Sequence, residues 1–169
     1  LKVNFSLLLF ITFIIVYGFE TYLEFFPAYD SRTKLEVLES LKESGIDAIP
    51  NTFPSDHIST NGILTNKGRI FPIGGISNKT NVYCNEGGFW SKFESDEHGF
   101  NNQKGLYKEG KVEIILTGDS FVEGACVKPN NTIGSLLRKI GFNVISIGKG
   151  GNGPLIELAA LKEFAEPLK

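Results

Sequence analysis

Val112-Glu113-Ile114-Ile115-Leu116-Thr117-Gly118-Asp119-Ser120 is the stretch on which the fold turns. A short, β-branched apolar run that stops at a glycine reads as a strand buried on both faces. Beyond it, Asn131 or Thr132 caps a helix through Ile133, Leu136, Leu137 and Ile140 that closes at Gly141. Phe142 to Ile147 is a second apolar strand, ended by Gly148-Lys149-Gly150-Gly151-Asn152-Gly153. Pro154 suits a first helical turn and opens a last helix through Leu155, Leu158, Leu161 and Phe164. Strand, helix, strand, helix is the opening of a parallel α/β sheet. Two strands with two helices do not cover both faces of such a sheet. Residues 111–169 are therefore expected to be the N-terminal part of a domain that is truncated here, a suspicion also raised by a chain without any methionine.

Functional groups of open parallel sheets gather at the carboxyl ends of the strands. Two such ends are present. The first delivers Ser120 directly after a buried strand, with Gly118 permitting a tight exit and the Ser120 N–H free to point at the same place. A serine needs a general base and an oxyanion hole to act as a nucleophile. The second end, with glycines at 148, 150 and 151, lets backbone approach closely and turn an N–H toward Ser120. Lys149 reads as a solvated loop charge, and Glu123 and Gly124 as closing the turn after Ser120. Asn152 reads either as fixing its loop by hydrogen bonding or as a further polar group of the site.

Thr117-Gly118-Asp119-Ser120 resembles block I of the SGNH (GDSL-type) hydrolases, and Val144 to Gly151 resembles their block II. About 30 residues and one helix separate the two, and Ser95-Asp96-Glu97-His98-Gly99-Phe100-Asn101-Asn102 resembles a lead-in of membrane-anchored bacterial members. The resemblance spans residues 96–169. It implies an incomplete flavodoxin-like parallel sheet, Ser120 as nucleophile, Gly151 as oxyanion N–H donor and Asp119 as a residue that shapes the nucleophile loop. It also implies a serine ester hydrolase of the cell envelope that uses no cofactor or metal, with an acyl ester, such as an acylated glycan, as substrate. Phe121 stands where the family usually has leucine. The Gly-x-Asn-Asp block and the late Asp-x-x-His have no counterpart, and the two histidines, His57 and His98, precede the strand and read as loop residues. The 169 residues alone are therefore expected to be inactive.

Three other readings compete, one of them a plain structural protein of the envelope. A non-catalytic, membrane-tethered SGNH-like module that binds or assembles polysaccharide differs only in lacking the downstream base. A nucleotide-binding domain is suggested by Gly148-x-Gly150-x-x-Gly153. That fingerprint normally follows a first strand, however, and leaves Gly-Asp-Ser unexplained.

Upstream, Val3 to Phe19 is a run of 17 uncharged residues, roughly 26 Å as a helix. With no small-x-small cleavage site and with Tyr22, Phe25 and Phe26 suited to an interfacial belt, residues 1–24 are expected to be an uncleaved anchor rather than a signal peptide or core helix. Lys2 before the span and Glu20 and Glu24 after it favour a cytoplasmic N-terminus, which puts the bulk of the chain in the periplasm or outside. Residues 25–110 read as a juxtamembrane helix (Thr33 to Ser44, capped by Ser31 or Thr33), a loop or linker from Ile46 to Asn66, and a small β-rich subdomain over 62–95. That subdomain holds a hairpin turn at Asn85-Glu86-Gly87-Gly88. Cys84 and Cys126 either pair or remain two buried thiols, and neither has neighbours at metal-ligand spacing. A net charge of −2 without a basic stripe gives no reason to expect a nucleic-acid partner.

Overall fold

The structure, a computed structural model, describes residues 4–26 and 29–168. It divides into two compact units, Leu1–Ser31 and Arg32–Lys169.

The first unit is α1 (Phe5–Phe25), capped by the Asn4 side chain. Its 21 residues reach about 32 Å at the helical rise. Apolar side chains surround it and none is buried. Thr12 and Thr21 turn their hydroxyls back onto the Leu8 and Tyr17 carbonyls at 2.9 and 2.8 Å. Their polar atoms are thus satisfied within the helix, as an apolar surrounding requires. With a mean hydropathy of 1.8 the helix is long and apolar enough to span a membrane. It continues past Phe19 because Glu20 and Glu24 stay helical. Lys2 and Val3, expected at its start, lie outside the described residues.

The second unit opens with α2 (Lys34–Glu43), whose start is set by a capping box. Thr33 Oγ1 accepts from the Glu36 N–H, and the Glu36 carboxylate accepts from the Thr33 N–H at 2.6 Å. The expected linker from Ile46 to Asn66 is instead structured, as β1 (Ala48–Pro50), α3 (Pro54–Ser59) and β2 (Ile63–Thr65). These short pieces carry no periodic signal, because their partners lie elsewhere in the chain. β1 pairs in parallel with β4 (Thr80–Val82), matching Ala48 to Thr80. β2 forms a hairpin with β3 (Gly68–Ile70). β4 in turn pairs antiparallel with β5 (Lys92–Glu94), giving the order β1-β4-β5 and the expected hairpin.

The α/β half follows the sequence reading closely. β6 (Ile114–Leu116) and β7 (Val144–Ser146) pair in parallel, matching Ile114 to Val144 and Leu116 to Ser146. Between them lie α4 (Ser120–Glu123), a 3-10 turn at Pro129–Asn131, and α5 (Ile133–Lys139), capped by Thr132. α6 (Pro154–Ala160) passes into a π-turn, Leu161–Ala165. The buried core comprises Phe100, Ile145, Ile147, Ala160 and Ala165, with Ile115, Phe164 and Leu168 packed against it. Thus α6 and its extension cover one face of the β6–β7 pair. The architecture is mixed α/β, built from small sheets.

The segment from Ser95 to Asn102 knots the two halves together. Asp96, fully buried, accepts through Oδ1 from the His98 and Phe100 N–H groups and through Oδ2 from Asn102 Nδ2 and the Tyr107 hydroxyl. Burial pushes its carboxyl up, against the lowering effect of those hydrogen bonds. Asn102 then donates to the Ser146 carbonyl at 2.8 Å and accepts from the Ser146 N–H at 2.9 Å. Arg138 donates to the Val144 carbonyl at 2.9 Å. Side chains therefore occupy the outer edge of β7 in place of a strand, whereas β6 pairs only with β7 among the described residues. Cys84 and Cys126 form a disulfide that joins the β4–β5 hairpin to the turn after α4.

Candidate functional site

Gly118 leaves β6 at φ 153°, and Asp119 caps α4 by accepting from the Phe121 N–H at 3.0 Å. Ser120 is the first residue of that helix, so its N–H has no partner one turn back. Its side chain is half-buried, and its hydroxyl makes no hydrogen bond among the described residues. Gly124 ends the helix at φ 84°.

The glycine-rich turn after β7 lies directly against this one. The parallel ladder runs on past both strands: the Ile147 N–H donates to the Leu116 carbonyl at 2.8 Å, and the Lys149 N–H to the Gly118 carbonyl at 3.0 Å. A Cβ on Gly148 would sit 2.6 Å from Val122 Cβ and 3.1 Å from the Gly118 oxygen, so only glycine permits the approach. Gly151 adopts φ 73° and is exposed, and its N–H is not engaged by any group among the described residues. The Gly-Asp-Ser segment and the glycine loop, 30 residues apart in the chain, thus meet at one end of the sheet.

Lys149 corrects the sequence reading. It is not solvated but fully buried, with its ammonium 2.5 Å from Glu123 Oε1 and 2.8 Å from Asn51 Oδ1, over the Phe93 ring. Burial lowers its pKa, with the Glu123 carboxylate opposing. Glu123, also buried, accepts from the Gly150 N–H at 2.8 Å and from Asn51 Nδ2 at 3.1 Å. Burial, together with the charge of the same carboxylate, raises the pKa of the Tyr83 phenol. One carboxylate one turn after Ser120 therefore holds the glycine loop from beneath. No sequence signal pointed to this network, because Asn51 lies in the Pro- and Asn-rich stretch and Lys149 is flanked by glycines.

The chain from Asn51 to His57 wraps the outside of the same loop. Phe53 lies where a side chain on Gly150 would have to go, and Ser55 Oγ lies 3.8 Å from the place of a Cβ on Gly151. Around this contact, Thr52 Oγ1, His57 Nε2, Thr117 Oγ1 and both polar atoms of the Asn152 side chain are buried without a protein partner. Asn152 therefore does not fix its loop by a side-chain hydrogen bond, which was one of its two expected roles. His57 belongs to α3 rather than a loop, and its pKa is lowered chiefly by burial, with Lys149 adding to the effect and Asp56 opposing it. His98, in the Asp96 turn, packs its ring on Tyr107 and Phe164. Neither imidazole bonds Ser120. Buried polar atoms are ordinarily satisfied, so this concentration sets the region of the strand ends apart from the rest of the interior.

Chemically, the strand ends offer an unengaged hydroxyl and two N–H groups, those of Ser120 and Gly151, on a rigid frame. Comparison with protein-family models, with curated proteins and with solved structures finds no match to this chain.

Proposed function

We propose that the chain carries the nucleophile half of a serine ester hydrolase of SGNH type, held by α1 in a membrane with its second unit on the periplasmic or outer side. The observation that carries this reading is the hydrogen bond from the Lys149 N–H to the Gly118 carbonyl. It joins the Gly-Asp-Ser turn to the glycine loop, the two segments on which the resemblance rests. A flavodoxin-like order is supported by the two edges of the small sheet. Asn102 and Arg138 close β7 as an outermost strand, which leaves β6 as the side on which further strands would add. The outward orientation is supported by the disulfide, since such bonds persist in oxidising compartments.

In this mechanism Ser120 Oγ attacks an ester carbonyl and gives its proton to a histidine base. The Ser120 and Gly151 N–H groups hold the oxyanion. The alcohol leaves, and water attacks the acyl-serine to release the acid. Neither His57 nor His98 bonds Ser120, so on this reading the base is supplied from outside residues 1–169. A fluorophosphonate probe applied to membranes bearing the native protein is expected to label it, and Ser120→Ala to abolish the labelling. Absence of labelling, or equal labelling of the variant, would overturn the assignment of Ser120.

A further inference from the structure

Lys149 to Asn152 is a four-residue turn, closed where the Asn152 N–H donates to the Lys149 carbonyl at 3.2 Å. Its third residue, Gly151, sits at φ 73°, in the region a type II turn demands there. The Gly151 N–H belongs to the central peptide, and the common turn types differ in which way that peptide faces. Its direction is therefore set by what fixes the residues before it. Every polar group of Lys149 is held. Its N–H donates to the Gly118 carbonyl at 3.0 Å, its carbonyl accepts from Asn152, and its ammonium lies 2.5 Å from Glu123 Oε1. The Gly150 N–H donates to the other oxygen of the same carboxylate at 2.8 Å. Phe53 and the Tyr83 hydroxyl fill the space where a side chain on Gly150 would stand.

Glu123 is itself fixed to the turn that carries Ser120. Its N–H donates to the Asp119 carbonyl at 3.0 Å, and the next two N–H groups donate to the Ser120 carbonyl at 3.0 and 2.9 Å. Asn101 Nδ2 donates to the Glu123 carbonyl at 2.8 Å. Both Glu123 and Lys149 are fully buried, so water does not compete for these contacts. A buried ion pair is a weak source of net stability. The main-chain group that this one holds, among the described residues, is the N–H next to the proposed oxyanion donor. We propose that Glu123 is a positioning residue of the oxyanion hole: by holding the Gly150 N–H it aims the Gly151 N–H at the carbonyl that Ser120 attacks. Lys149 cancels the charge of the carboxylate, so that no net negative charge lies under the place where the oxyanion forms. The inference rests on the reading of Ser120 as nucleophile and Gly151 as donor.

The test compares two double variants of the native, membrane-held protein, both without the buried charges. Glu123→Gln/Lys149→Met keeps an amide oxygen to accept from the Gly150 N–H, whereas Glu123→Leu/Lys149→Met keeps none. The rate of fluorophosphonate labelling reports the hole, since the phosphoryl oxygen occupies it as Ser120 reacts. Resistance to trypsin reports the fold. The leucine variant is expected to stay resistant and to label about 100-fold more slowly than wild type, the cost of a misplaced group. The glutamine variant should recover at least about tenfold of that loss. Glu123→Gln alone gives a second reading, and decides the matter if the leucine variant proves trypsin-sensitive. Lys149 and Asn51, which both donate to Oε1, claim its single oxygen and turn its amide nitrogen toward the Gly150 N–H. It should therefore label slowly as well, and regain rate when Lys149→Met is added. Equal rates for the two resistant double variants, or a wild-type rate in Glu123→Gln, would overturn the positioning role and leave Ser120 in place. A wild-type protein that takes up no label would remove Ser120 as nucleophile and the positioning role with it.

Discussion

Lys149 and Glu123 show what a single residue can do when its partner is far away in sequence. The pair is buried, so removing one member strands the other's charge in the interior. Lys149→Met is expected to cost about 3–5 kcal/mol in urea denaturation, and adding Glu123→Gln should recover part of that loss. A cost below about 1 kcal/mol would mean that Glu123 finds water on its own. At this scale the sequence was legible wherever chemistry is local. Gly118, Asp119 and Ser120 act within one turn, whereas the Asp119 cap of α4 emerges only with the structure, the sequence having offered Asp119 simply as shaping that loop. Lys149 was not legible, since Asn51 lies 98 residues away and nothing in a glycine loop signals burial. Asn152 carried two readings, and only its buried, unpartnered amide sets aside the role of fixing the loop.

Elements follow the same division. α2, α5 and α6 start at Thr33, at Thr132 and at Pro154, residues whose capping or first-turn preference operates within four positions. β1 and β2 were hidden, because three residues among Pro and Asn have no periodicity and become strands only by pairing with β4 and β3. The edge of β7 illustrates a third case, an element completed by a side chain. Asn102 matches both the N–H and the C=O of Ser146, doing the work of a neighbouring strand. Asn102→Ala leaves two backbone groups unpaired, each worth about 1–3 kcal/mol when buried. The expected result is a loss of at least about 2 kcal/mol, with faster hydrogen exchange at the Ser146 amide. Unchanged exchange there would show that the strand edge is held by other means.

Across the whole molecule, the boundary that the composition suggests near residue 110 is crossed by the strongest polar contacts. Asn51 reaches Lys149, Asn102 reaches Ser146, and Cys84 reaches Cys126, so residues 32–169 form one unit. The disulfide closes a span of 42 residues, for which loss of chain entropy in the unfolded state gives about 4 kcal/mol of stabilisation. Dithiothreitol should lower the urea midpoint of the folded unit accordingly, and an unchanged midpoint would place the stability elsewhere. The two halves could not be joined from sequence, because composition reports where a chain is apolar or flexible and not which distant residues it embraces.

The contact between Asn51 and Lys149 also bears on how the protein is made. Ribosomes release the amino end first, and contacts between distant residues wait on loop closure. α2 needs about a dozen residues and the β4–β5 hairpin about 15, so both can take shape early. The glycine loop acquires its support only when a segment near residue 50 meets one near 149. Topology of this kind slows folding relative to locally connected chains. That end of the sheet accordingly takes its shape only after residue 149 has been made and has met the segment near residue 50.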